Sequence, residues 1–218
     1  MRLPWVAPNS ERRRDRPHGI IRAFSPLARM ALKSTIFKAE LQLADLDRGY
    51  FAEHTLTLAR HPSETDERMM VRLLAFALNA SPTLAFGRGL STEDEADLWA
   101  VDATGAMECW IDVGLPDEKD IRRAGNRARW VVVLAYGGRG ADIWWQQTAA
   151  KVESQKNLRV LQLTAEESRA LAALAERSMK LQCTIQDGVV WLGSERRQVE
   201  LHPVVLQAGV GERSSAEV

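Results

Sequence analysis

Only two cysteines occur in 218 residues, Cys109 and Cys183, and they do not form a CxxC pair. That usage excludes a disulfide framework and a zinc ribbon, and it fits a reducing compartment, so a cytoplasmic location is expected. The four histidines (His18, His54, His61, His202) are scattered without ligand spacing, which argues against a structural zinc site. No apolar run approaches the ~20 residues needed to span a bilayer, so no membrane partner is expected. There is no GxSxG elbow, and no Cys/His pair supports nucleophilic catalysis. Gly137-Gly138-Arg139-Gly140 is neither a P-loop nor a GxGxxG fingerprint; a tight strand–helix turn is the simpler reading, with a phosphate cradle as the alternative. What remains is an ordinary globular composition, 45% hydrophobic and 27% charged, in a length suited to one domain.

Charge is unevenly spread. The formal net charge is zero, yet residues 1–29 hold seven arginines, no lysine and two acids. Removing these from the totals of 29 basic and 29 acidic residues leaves 22 and 27, so the chain from Met30 onward carries about −5. The segment also has four prolines and no apolar period. Three readings stand open: an extension without a fold of its own upstream of a start at Met30, a basic arm for nucleic acid, or a targeting peptide that lacks the apolar core of a secretory signal. The expected organisation is an extension over 1–29, a single domain over 30–208 and a tail over 209–218. The acidic body argues against a general DNA-coating protein.

From Met30 the pattern is that of a mixed α/β domain. Residues 32–44 and 54–60 alternate as strands. Ser63 is expected to cap a helix running to about Asn79, where Ser81-Pro82 stops it. Two strands, 97–102 and 107–113, flank Ala103-Thr104-Gly105-Ala106, and Leu115-Pro116-Asp117 opens a helix through Arg129. WVVVLAY (130–136) reads as a buried strand. A helix over 141–153, a strand over 158–163 and a helix over 165–178 follow, the last opened by Thr164 with Glu167 in capping-box spacing. The chain returns to strand at 181–186, 189–192 and 198–201, with Asp187-Gly188 as a hairpin turn. The fold class is therefore α/β with a mixed sheet, plus a terminal β subsheet formed by the two chain ends.

The chemistry-bearing residues are carboxylates. A turn at Thr104-Gly105 sets Trp99 opposite Trp110 and Asp97 opposite Asp112, with Glu108 on the same face. Like charges ~5 Å apart are destabilising unless compensated. A divalent cation would do this; a shared proton or splayed, solvated side chains would too. Glu67 lies three, seven and ten residues before Met70, Leu74 and Ala77, so it falls on the apolar line of its helix and needs a partner, unless it only complements the helix dipole. Lys119, Arg123 and Arg127 form a basic stripe that reads either as a solvated face or as a ridge for phosphates.

The stretches TLTLARHPSETDERMMVRLLAFAL (55–78), EADLW (95–99), WIDVGLPDEKDIRRA (110–124), ADIWWQQ (141–147) and TIQDGVVWL (184–192) resemble the YaeQ family over roughly Met30 to Val205. That resemblance implies a variant of the PD-(D/E)XK restriction-endonuclease-like core. It further implies a site in which Glu67, Asp97 and Asp112 hold Mg²⁺ or Mn²⁺, and a metal-dependent nuclease acting on DNA or RNA. Two positions depart from the pattern: Ala96 replaces the proline, and Gly114 stands where the catalytic lysine belongs. Lys119, on the following helix, is the candidate to supply that charge. The alternative is an inactive nuclease-fold module that binds nucleic acid or a protein partner.

Overall fold

The computed structural model describes residues 34–87 and 95–210; the expectations for 1–29, for Glu93 and Asp94 in the acidic stretch, and for 211–218 of the tail lie outside them. Among the described residues no helix is long and apolar enough to cross a membrane. Two mixed sheets and four helices make up the described residues. The first sheet combines β1 (Thr35–Asp45) and β2 (Tyr50–Arg60) with β8 (Ser178–Gln186), β9 (Val189–Ser194) and β10 (Arg197–Leu201), in the order β10-β9-β8-β1-β2. The second runs β11 (Val204–Gln207), β7 (Leu158–Gln162), β6 (Trp130–Ala135), β5 (Met107–Val113), β4 (Leu98–Val101), β3 (Ala85–Phe86). The first sheet is thus the subsheet expected from the two chain ends, closed by the parallel pairing of β1 with β8 in which Leu41 meets Leu181.

Strict alternation explains the first sheet. Phe37, Ala39, Leu41 and Leu43 are buried while Lys38, Glu40 and Gln42 are exposed, so one face packs and the other meets solvent. The packed face joins α1 (Asp66–Asn79), α4 (Ala165–Ala172) and one face of the second sheet in a single core. Every residue of α1 from Met69 to Ala77 is buried, as befits a helix enclosed on all sides. The other face of the second sheet packs on α2 (Glu118–Arg127) and α3 (Arg139–Val152) through Trp110, Ile121, Ala124, Val131 and Val133. β5, α2, β6, α3 and β7 form successive parallel crossovers. Asp187 and Gly188 both take positive φ (53° and 75°), as a tight hairpin turn requires.

Three local expectations need correction. The cap of α1 is Thr65, which accepts from the Arg68 amide at 3.2 Å, and not Ser63. Ser63 is held in a preceding turn by the His61 ring (2.7 Å), and the Glu64 amide bonds the His61 carbonyl, which leaves Thr65 as the first residue able to cap. α4 ends at Ala172 instead of continuing to 178, because Ser178 to Lys180 pair with β1; tertiary pairing overrides helical pattern here. In the β4–β5 hairpin, Trp99 faces Trp110 as expected, but a bulge intervenes before Val101 pairs with Met107. The extra residue puts Met107, not Glu108, against the Trp99/Trp110 face, and Glu108 turns to Arg129 at 3.2 Å. The short strands β3 and β11 were not foreseen. Gly137 and Gly138 take φ of 110° and 58° and form the strand–helix turn into α3.

Candidate functional site

The C-terminal ends of β5 and β6 meet the first turn of α1 at a group of charged residues. Glu64, just before the helix, is almost fully buried and accepts from Arg72 at both carboxylate oxygens (2.8 and 2.9 Å). Arg72 is fully buried and also donates to the Ala59 carbonyl. Arg68 donates through Nη1 to Glu64 (3.1 Å) and through Nη2 to both oxygens of Asp97 (2.7 and 2.8 Å). The Val113 amide completes Asp97 at 2.8 Å. Glu64, Arg68, Arg72 and Asp97 form a chain of two cations and two anions, so the buried network neutralises itself. Burial alone would lower the Arg68 pKa, but Asp97 and Glu64 outweigh it and hold the guanidinium above its ordinary value.

Asp112 is bonded by the Trp110 indole at 2.9 Å. Burial pushes its pKa up to about 7; Asp97 and Asp120 add to the rise, while the Trp110 indole and the Asp97 amide act against it. Asp112 therefore exchanges its proton near neutral pH. Glu67 accepts a 2.6 Å hydrogen bond from Ser168, a buried hydroxyl on α4. Half-buried Tyr136, just past β6, feels Arg68, Glu67, Glu64 and Asp97; its phenol pKa is raised mainly by burial, with Arg68 opposing. Gly114 follows β5 with φ of 113°, and a Cβ there would sit 4.0 Å from the Tyr136 ring. This is a backbone conformation that disfavours any L side chain, lysine included.

The expected residues are placed as follows. Asp97 and Asp112 are neighbours, as the hairpin register implied, and Glu67 lies at the same end of the second sheet through its reach to Tyr136. Lys119 is exposed in the first turn of α2, its amide bonded to the Asp117 cap. The α2 charge felt most strongly at Asp112 is that of Asp120, an acid. In the basic stripe Arg123 pairs with Asp120, and on its flank Arg122 pairs with Glu118 at 2.9 Å. Among the described residues no three Asp, Glu, His or Cys side chains converge into a group able to hold a metal ion. Both oxygens of Asp97 already face Arg68, one oxygen of Asp112 faces Trp110, and one of Glu67 faces Ser168. Arranged in this way, the three carboxylates do not fit a resident divalent cation, because a guanidinium stands where its charge would be needed. Arg68, Arg72, Glu64, Tyr136 and Ser168 were missed. The i, i+4, i+8 spacing of Glu64, Arg68 and Arg72 was the available signal.

The YaeQ protein family profile matches residues 30–203. The chain belongs to the YaeQ family. It is 47% identical over 173 residues to the uncharacterized protein YaeQ of Escherichia coli K12, covering 79% of this chain and 96% of that one. Against the Salmonella typhi YaeQ protein the identity is 48% over 172 residues, with 79% and 95% covered. The crystal structure of the YaeQ protein from Xanthomonas axonopodis pv. citri superposes with a TM-score of 0.79 at 52% identity, over 80% of this chain and 99% of that one. The YaeQ protein from Pseudomonas syringae gives 0.77 at 37% identity, over 80% and 97%. The YaeQ fold is thus that of this chain across its mixed sheets and helices.

Proposed function

We propose that this member of the YaeQ family uses a nuclease-like scaffold as a non-catalytic module that binds a protein partner. The single observation that carries this reading is the double contact of Arg68 with Asp97, which fills the carboxylate that a metal-dependent nuclease would need open. Position 114 supports it, since a positive φ excludes an unstrained lysine there. Protein is favoured over nucleic acid because Arg122 and Arg123 of α2 are paired with acids of their own helix and the chain beyond residue 29 is net acidic. The edge strand β11 offers a surface: Val204 and Val205 are each about half exposed, on the open edge of the second sheet. A photo-crosslinking residue at position 205 should trap a protein in cells, whereas one at Lys180 should not. Equal labelling at both positions, or none, would count against a partner on this edge. The full chain should show no Asp112-dependent cleavage of DNA or RNA with Mg²⁺ or Mn²⁺. Whatever salt-sensitive binding it has should survive Lys119→Glu and Arg127→Glu.

A second reading has an observation in its favour. Asp112 is pushed up to about 7 beside Asp97 and Asp120, an acidic environment that a cation would relieve. In that reading the chain is a PD-(D/E)XK-type phosphodiesterase, with Glu67, Asp97 and Asp112 holding Mg²⁺ or Mn²⁺ and Lys119 supplying positive charge. It requires Arg68 to release Asp97. Cleavage that is lost in both Asp97→Ala and Asp112→Ala would establish it over the first.

A further inference from the structure

The solvent-facing side of the first sheet carries a row of side chains that its packing does not use. Strand register sets Trp191 of β9 beside Thr184 of β8, Thr184 beside Ala44 of β1, and Ala44 beside Phe51 of β2. Their chain neighbours Val190, Leu192, Cys183 and Leu43 are buried in the core, so the row lies on the open face. At one end Phe51 is 66% exposed. At the other end Trp191 is half-buried, and its indole N–H donates to Glu200 at 3.2 Å. Glu200 also meets the His202 ring at 3.0 Å, so the indole is held by its edge before any ligand arrives. Thr184 and Ala44 form a low floor between the two aromatics. A shallow trough of about 510 Å³ runs over that floor, lined also by Gln42, Glu53 and Gln182.

The neighbouring row supplies hydrogen-bonding groups. Gln182 donates to Gln42 at 3.4 Å, and Gln42 donates to Glu53 at 3.3 Å, which orders three side chains in a line. The side-chain oxygen of Gln182, the second oxygen of Glu53 and the Thr184 hydroxyl keep no protein partner among the described residues. Charge then narrows the ligand class. Glu53 is the one charged group lining the trough, and Lys180, farther along the face, is paired with Glu40 at 3.6 Å. Nothing in the trough would hold a phosphate. A compact cation would need both rings around one point, yet three strand spacings, about 14 Å, separate them. The open groups are mainly acceptors, which calls for hydroxyl donors on an uncharged ligand. Two separated aromatic faces, each electron-rich, suit the C–H faces of rings spaced along one extended chain.

We propose that this face binds a neutral oligosaccharide laid across the strands. One sugar ring rests on Phe51 and another on Trp191, with the hydroxyls between them bonded to Gln182, Glu53 and Thr184. The test is titration of the full chain with cellohexaose, maltohexaose and chitohexaose, followed by calorimetry and by the NMR resonance of the Trp191 indole N–H. Glucose, N-acetylglucosamine, spermidine and oligouridylate serve as controls. At least one hexaose should shift that resonance saturably, with its monosaccharide at least tenfold weaker. Phe51→Ala, at an exposed position that does not endanger folding, should weaken binding at least tenfold, and Trp191→Ala should do the same by calorimetry. Lys38→Ala, on the same face beyond the trough, should leave binding unchanged. No binding of any hexaose would overturn the proposal. So would a monosaccharide that binds as well as its hexaose, or binding indifferent to Phe51→Ala. A shift produced by spermidine or oligouridylate and by no hexaose would overturn it in favour of a charged ligand.

Discussion

Arg68 and Asp97, 29 positions apart in the chain, are joined by one guanidinium nitrogen lying 2.7 and 2.8 Å from the two carboxylate oxygens. Because the other terminal nitrogen of Arg68 reaches Glu64, a single side chain ties the start of α1 to the entrance of β4. Removing it leaves Asp97 without a counter-charge in a buried setting, while Glu64 keeps its two bonds from Arg72. Arg68→Ala should therefore lose on the order of 3 kcal/mol in urea unfolding, in the range for breaking a buried pair. The same variant should bind Mn²⁺ more tightly than the wild type, since Asp97, beside Asp112, then lacks a counter-charge. Calorimetric titration of both proteins measures that difference.

The Glu64–Arg72 pair predicts an asymmetry. Arg72→Met leaves the buried Glu64 with only the 3.1 Å contact from Arg68 and should cost about 3–5 kcal/mol, whereas adding Glu64→Gln to it should recover part of that loss, because the desolvated charge goes with it. Comparing the unfolding free energies of the two variants decides the point.

Asp112 makes stability depend on pH in a defined direction. Its folded pKa of about 7 lies above its unfolded value, so the native state holds the extra proton between about pH 4 and 7. The stabilisation tied to that proton is fully present below the unfolded pKa and is lost as pH rises through about 7. Wild-type melting temperature should fall from pH 5 to pH 8 by more than that of Asp112→Asn. At pH 8 the asparagine variant should be the more stable, by on the order of 2 kcal/mol if roughly half of the shift is realised.

Gly114→Lys places a side chain at φ 113° and should destabilise the fold by about 1–3 kcal/mol. It should not create nuclease activity, because the backbone points the new side chain differently from one on a regular strand. A plasmid-nicking assay on the refolded variant checks the second half of this expectation.

Much of the fold was legible because burial imposes simple periods. The alternation in β1, the uniformly apolar β6, the Thr164 capping box and the Asp187-Gly188 turn are local signals, and each lies where it was read. The pairing of Trp99 with Trp110 followed from counting across a turn. The bulge beside it did not, because it arises where Asp102 gathers the Thr104 and Ala106 amides into a wider loop. At the candidate site the carboxylates stood out as unpaired acids on apolar faces. Their partners did not, since Arg68 meets Asp97 and Ser168 meets Glu67 only through the tertiary fold. Reading charge without its counter-charge made a metal the natural complement.

The most direct test of this account is the response of the wild-type chain to divalent cations, followed as melting temperature at pH 7 with 5 mM Mg²⁺ or Mn²⁺ (about that concentration suffices for a millimolar site). With Arg68 holding Asp97, the midpoint should not move, and Asp112→Asn should respond no differently. A rise of several degrees in the wild type that disappears in Asp112→Asn would show that the cation displaces the arginine, and would contradict the account.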